Sequence, residues 1–123
     1  MPNSGAILNN LAVALTARGD ENLEQALKIA NAAIENSRTA APHFYETRGQ
    51  ILFRLKRYLE AVPDLERALA HPDLASKAHE SLATCYAELG EEELSERHRE
   101  AAERTAKSPE QQGESDSPDL TAR

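Results

Sequence analysis

Tryptophan is absent from this chain of 123 residues, aromatics make up 4% of it, and there is one cysteine. The apolar content leans on Ala and Leu, which suits close-packed helices better than a sheet built from β-branched and aromatic side chains. The lone thiol, Cys85, has no partner for an internal disulfide and no second cysteine for a Cys-x-x-Cys pair, so a reducing, cytoplasmic setting is expected. No apolar run approaches the length that spans a bilayer, and Met1 to Asn10 lacks the basic region and cleavage site of a secretory signal. Membrane attachment is therefore not expected. An excess of positive charge is missing too: Lys and Arg number 14 against 21 Asp and Glu, for a net charge of -7. With no basic stripe on any predicted helix, a nucleic-acid partner is disfavoured.

Catalytic and metal-binding signatures are equally scarce. His79-Glu80 begins a zinc-helix motif, but Ala83 stands where the second histidine is needed. His43, His71 and His98 have no spacing that gathers ligands on one helix face, and they read as surface or junction residues. There is no Gly-rich phosphate loop and no G-x-S-x-G elbow. Glu91 to Glu93 form a solvated helix start favoured by the macrodipole, and Cys85 reads as a small buried side chain. The expectation is no enzyme activity, no metal and no cofactor.

What the chain does contain is a repeated apolar spacing. Leu23, Ala26, Leu27, Ala30, Ala33 and Ile34 recur 35 residues later as Tyr58, Ala61, Val62, Leu65, Ala68 and Leu69. In each set the offsets place all side chains on one helix face. Each copy follows another helical pattern, Ile7, Leu8, Leu11, Ala12 and Leu15 before the first and Phe44, Tyr45, Ile51, Leu52 and Leu55 before the second. A third pair has Ala78, Leu82, Ala83, Tyr86 and Leu89 on its leading helix and a polar partner from about Glu92 to Arg104. Gly19 and Gly90 fall where the first and third pairs turn, and Lys56 takes that place in the second. Asp20 or Asn22, with Gln25, is placed to cap the second helix. Pro63 either kinks or loosens the fourth helix or is tolerated near its start, the favoured reading, and His71, Pro72 and Asp73 predict a break before the fifth.

These residues resemble the tetratricopeptide repeat, whose pattern is W-x2-L-G-x2-Y, then A-x3-F, then P. Leu11, Ala12 and Leu15 take the L, G and Y places in the first copy; Tyr45, Gly49 and Leu52 take the W, G and Y places in the second; Leu82, Ala83 and Tyr86 serve in the third. Ala26 and Ala30, then Ala61 and Leu65, occupy the A-x3-F places, where the degenerate third copy offers Ser95 and Arg99. The resemblance implies an all-α, right-handed solenoid of three helix-turn-helix pairs, six helices in all, with the last helix as a polar cap. Residues 1-106 form the repeat domain, with repeats at about 5-37, 41-71 and 74-105, and residues 107-123 an acidic tail expected to be disordered. Ser108 and Ser117, each followed by Pro, are weak candidates for modification there.

In function, the resemblance implies a non-catalytic module that holds a protein or peptide in a concave groove. Its lining positions are Asn9, Val13, Glu46, Gln50, Arg54, Lys77, Glu80, Thr84 and Glu88. One branch of the family clamps a chaperone's C-terminal carboxylate with Lys, Asn, Asn, Lys and Arg or Lys. At the matching positions stand Asn9, Val13, Thr47, Lys77 and Ser81, so only Lys77 survives and that ligand is not expected. The first helix is apolar around much of its circumference, so Ile7, Leu8 and Leu11 are candidates for self-association or for covering by repeats upstream of this sequence. The alternative reading is a recruiting or dimerising segment of a larger protein, one that includes an enzyme among its possibilities.

Overall fold

The computed structural model describes residues 4-106, which leaves the predicted acidic tail, with Ser108 and Ser117, outside the described residues. Within 4-106 the chain is all-α. Six helices run in order: α1 (Ser4–Ala17), α2 (Leu23–Glu35), α3 (Pro42–Arg54), α4 (Tyr58–Ala68), α5 (Pro72–Glu88) and α6 (Glu92–Ala106), with a 3-10 turn at Asp20–Asn22. The most extensive packing joins α1 to α2, α3 to α4 and α5 to α6, so short turns close three helical hairpins. Lesser contacts join α2 to α3 and α4 to α5, and the helices that lead each hairpin meet as α1 with α3 and α3 with α5.

Local chemistry explains the boundaries. Pro42 and Pro72 open α3 and α5 at a position where the missing N-H costs nothing. The predicted break at His71 to Asp73 is thus a helix start, and His71 caps it by accepting the Asp73 N-H on Nδ1 at 3.2 Å. At the other end of α3, Lys56 adopts φ 63°, Arg57 N-H donates to the Leu52 carbonyl at 2.9 Å, and Lys56 N-H donates to Phe53. Gly90 (φ 84°) repeats the arrangement after α5, with Glu91 N-H bonding the Tyr86 carbonyl at 2.8 Å. Both are left-handed closures in which a 6→1 bond satisfies an orphan carbonyl. Gly19 differs: at φ 134° and ψ 163° it hands the chain to the extra 3-10 turn. Asn22 holds the cap position of α2 but its side chain makes no capping bond, contrary to the sequence reading, because the 3-10 turn already precedes the helix. Pro63 is tolerated, in line with the favoured expectation, for α4 continues unbroken through it. The bond it cannot make points back toward Leu59, which is exposed, so the loss falls on the solvent side.

The core joins Ala12, Leu23, Ala26, Leu27, Ala30, Ile51, Leu52, Ala61, Leu65, Leu82 and Cys85. Four of the six pairs 35 residues apart share their environment: Ala26 with Ala61, Ala30 with Leu65 and Ala33 with Ala68 are buried, and Ile34 with Leu69 is half-buried, whereas Leu23 and Leu27 are buried where Tyr58 and Val62 are half-buried. Gly49 is needed because a Cβ there would lie 3.0 Å from the Leu65 side chain and 3.1 Å from the Asp64 Cβ, so α3 and α4 come this close only without one. One ionic tie crosses three helices. Arg48 on α3 donates from Nε and Nη2 to the buried Asp64 carboxylate on α4 at 2.7 and 2.9 Å, and from Nη1 to Asn31 Oδ1 on α2 at 3.1 Å. A bidentate pair of this kind fixes orientation as well as distance.

The two ends differ in polarity. On α1, Ile7, Leu11 and Val13 are 60%, 46% and 47% exposed. On α6 the buried residues are Ser95 and Ala102, and Ser95 Oγ donates to the Ala83 carbonyl at 2.7 Å. Among the described residues no helix is long and apolar enough to cross a membrane.

Candidate functional site

The helices that lead each hairpin, α1, α3 and α5, enclose a cleft of about 310 Å³. Val13 and Thr16 come from α1, Glu46, Thr47, Gln50, Ile51 and Arg54 from α3, and Lys77 from α5. A shallower depression of about 280 Å³ adjoins it through Gln50, Arg54 and Lys77 and extends to Phe53, Glu80, Ser81 and Thr84. Together they form one track across α3 and α5. Residues one turn apart, such as Glu46, Gln50 and Arg54, share a helix face, which is how a single helix supplies most of the lining.

Most of the sequence-predicted groove residues meet here: Val13, Glu46, Gln50, Arg54, Lys77, Glu80 and Thr84 line the track. Two do not. Glu88, at the last turn of α5, lies outside the lining of both depressions, and Asn9, one turn before Val13, is buried rather than presented to the groove. Several lining groups are already engaged. Arg54 binds the Asp20 carboxylate and donates to the Thr16 carbonyl at 3.3 Å, tying α3 to the first turn. Gln50 Nε2 donates to Ser81 Oγ at 3.0 Å, linking α3 to α5.

What remains unmet is a pair of oxygens. Glu46 Oε1 and Asn9 Oδ1 are buried and accept no hydrogen bond. Burial raises the Glu46 pKa above the usual carboxylate value, against the opposing pull of the Gln50 amide and the Lys77 charge. A buried acceptor without a donor is costly, and the cost disappears when a donor arrives. The groove therefore offers apolar contact at Val13 and Ile51 beside an acceptor at Glu46 that suits an N-H or ammonium group.

The chain matches no known family model, no curated protein and no solved structure.

The histidines form pairs that spacing along the chain does not reveal. His79 on α5 and His98 on α6 bring their Nδ1 atoms to 2.9 Å, and His98 stacks on Tyr86 at 5.5 Å between centroids. Tyr86 in turn donates to Glu66 Oε2 on α4 at 2.7 Å. Burial depresses both imidazole pKa values; for His79 the charges of His98 and Arg104 add to this, and for His98 Glu66 opposes it. His43 and His71 meet edge to face at 4.6 Å. No group of three or more His, Cys, Asp or Glu side chains forms a metal-holding set among the described residues. Burial pushes the Cys85 thiol up to about 11, so it stays protonated and unreactive at neutral pH.

Proposed function

We propose that the chain is a non-catalytic docking module, a right-handed solenoid of three tetratricopeptide-like hairpins that receives a protein segment in the groove between α1, α3 and α5. The observation that carries this reading is the buried, donorless Glu46 Oε1 in a cleft walled by Val13 and Ile51. A peptide supplies what that arrangement lacks, a backbone N-H or a basic side chain for the carboxylate and an apolar side chain for the wall. The solenoid geometry is supported by the matching burial of four of the six pairs 35 residues apart and by contact between successive leading helices. Lys77 is the groove's cation without an ion-pair partner among the described residues, so the ligand carries at most modest negative charge.

Photocrosslinking tests this directly. A photoreactive side chain replacing Val13 captures a partner segment, and Glu46→Gln weakens the capture, because an amide is a poorer acceptor than a carboxylate. The same reactive group at Lys28, exposed on α2, captures nothing above background. Equal capture from both positions overturns the reading.

A second reading rests on α1, which carries no charged residue between Ser4 and Ala17 and exposes Ile7, Leu11 and Val13. On it, the chain is a recruiting or self-associating segment. Leu8 is half-buried and contributes less to that face than the sequence reading assigns it. Light scattering across concentration separates the readings: a dimer that Leu11→Lys returns to monomer supports the second, and a monomer throughout removes self-association.

A further inference from the structure

On another face of the molecule, α2, α3 and α4 enclose a cleft of about 470 Å³ that the groove reading does not use. Its apolar floor includes Leu27, Ile34, Leu52 and Pro63, and its polar lining is Asn31, Tyr45, Arg48, Arg57, Glu60, Asp64 and Arg67. In this lining every acceptor of charge is already taken. Asp64 accepts both bonds from Arg48, Asn31 Oδ1 accepts a third, and Arg57 holds the Glu60 carboxylate through Nε and Nη2 at 2.8 and 3.0 Å.

The donors are not all taken. The Arg67 guanidinium makes no hydrogen bond or ion pair among the described residues and lies over the Tyr45 ring, 4.6 Å from the centroid. The Tyr45 hydroxyl and the Asn31 amide nitrogen likewise have no acceptor among the described residues. Among the arginines of this lining, Arg67 is the one without an ion-pair partner among the described residues, since Arg48 pairs with Asp64 and Arg57 with Glu60.

We propose that this cleft is a second docking site, taking an acidic peptide segment in which a carboxylate stands next to an apolar side chain. The carboxylate accepts from Arg67, whose stacking on Tyr45 holds the planar fork in place, with the Tyr45 hydroxyl and Asn31 amide as further donors. The apolar neighbour covers Leu27, Ile34, Leu52 and Pro63. One free guanidinium balances one carboxylate, whereas a doubly charged phosphate calls for a second cation, and here Arg48 and Arg57 are already neutralised. The site is independent of the groove, since it shares no lining residue with it.

The test uses the full chain, 15N-labelled, titrated with the capped peptide acetyl-Gly-Asp-Leu-Gly-amide, which carries one carboxylate beside an apolar side chain. Saturable shifts are expected at the Arg67 Nε-H and around Tyr45, weakening as salt is raised. The Gly-Asn-Leu-Gly counterpart, and Arg67→Gln with the original peptide, each bind about tenfold more weakly, the loss of one charge-assisted contact. Tyr45→Phe, which keeps the ring and removes the hydroxyl, costs about threefold. Lys77→Ala binds as wild type does, which separates this site from the groove. Arg67 is exposed, so Arg67→Gln is expected to melt with the wild type; should it unfold, Arg67→Lys keeps the charge without the bidentate fork and gives an intermediate affinity. No saturable shift at millimolar peptide, shifts confined to Val13, Glu46 and Lys77, or unchanged affinity in the Arg67 variant each overturn the proposal.

Discussion

The two clefts of this chain leave opposite kinds of polar group uncommitted. Between α1, α3 and α5 the uncommitted group is an acceptor, because Glu46 Oε1 is buried without a hydrogen-bond partner. Between α2, α3 and α4 the uncommitted groups are donors, because the Arg67 guanidinium, the Tyr45 hydroxyl and the Asn31 amide nitrogen have no protein acceptor among the described residues and face solvent. Both have apolar walls of similar kind, so apolar area alone does not distinguish them. The polar groups left uncommitted set what each one selects, since a partner that leaves them unpaired forfeits the free energy of the missing bond.

The largest test acts on the wall between them. Leu65 is fully buried against Gly49, at the junction of α3 and α4 on which both clefts depend. Leu65→Ala should cost about 2 to 5 kcal/mol of unfolding free energy, read by denaturant melting, and disable both sites. Unchanged stability would mean that the hairpins do not pack as described. Next in size, Asp64→Ala strands the Arg48 guanidinium at a cost of about 2 kcal/mol, because Arg48 keeps partial access to water. That change should loosen the donor-rich cleft and spare the groove, so loss of peptide crosslinking at Val13 in this variant would erase the distinction. Lys56→Gly removes a side chain from a left-handed residue and should add about 1 kcal/mol of stability. As it sits in the turn after α3, it should leave binding at either cleft unchanged.

Two smaller effects follow pH. Glu46 has a raised pKa in the fold, so the folded state binds the proton more readily than the unfolded chain, and this group favours folding as pH falls toward the acidic range. Glu46→Gln should therefore raise the melting temperature at pH 7 more than at pH 4, while groove binding by the wild type should weaken on acidification as the carboxylate loses its charge. The His79 and His98 pair has the opposite sign. Both pKa values are depressed, so stability is full above the ordinary histidine value near 6.5 and falls as pH drops below it. Melting between pH 7.5 and 5 should show this loss in the wild type and a smaller one in His98→Phe, which keeps a ring on Tyr86.

Much of the fold was legible in the chain itself. The offsets shared by Leu23 to Ile34 and Tyr58 to Leu69 mark the faces that are buried, and the turn after α3 follows from Lys56 standing where Gly90 stands in the next hairpin. Most of the groove positions could also be assigned, because they follow from register along α1, α3 and α5. Asn9 is the instructive failure. Its place on the helix fits the groove, but the close approach of neighbouring helices buries it, and depth is a property of packing that register does not encode. The Asn22 cap failed for a related reason, since a 3-10 turn precedes the helix there, whereas Pro63 is tolerated in α4 as the favoured reading expects.

Sequence by itself determined which residues are helical, where the turns fall and which stripe of each helix is apolar, because these depend on spacings of three and four residues and on the backbone preferences of single positions. Only the tertiary structure decided the pairings: Arg48 with Asp64 and Asn31, Arg67 with Tyr45, His79 with His98, and the isolation of Glu46 Oε1. Those depend on distances across hairpins between residues many positions apart, where a shift of one ångström makes or breaks a hydrogen bond and no local pattern records the result.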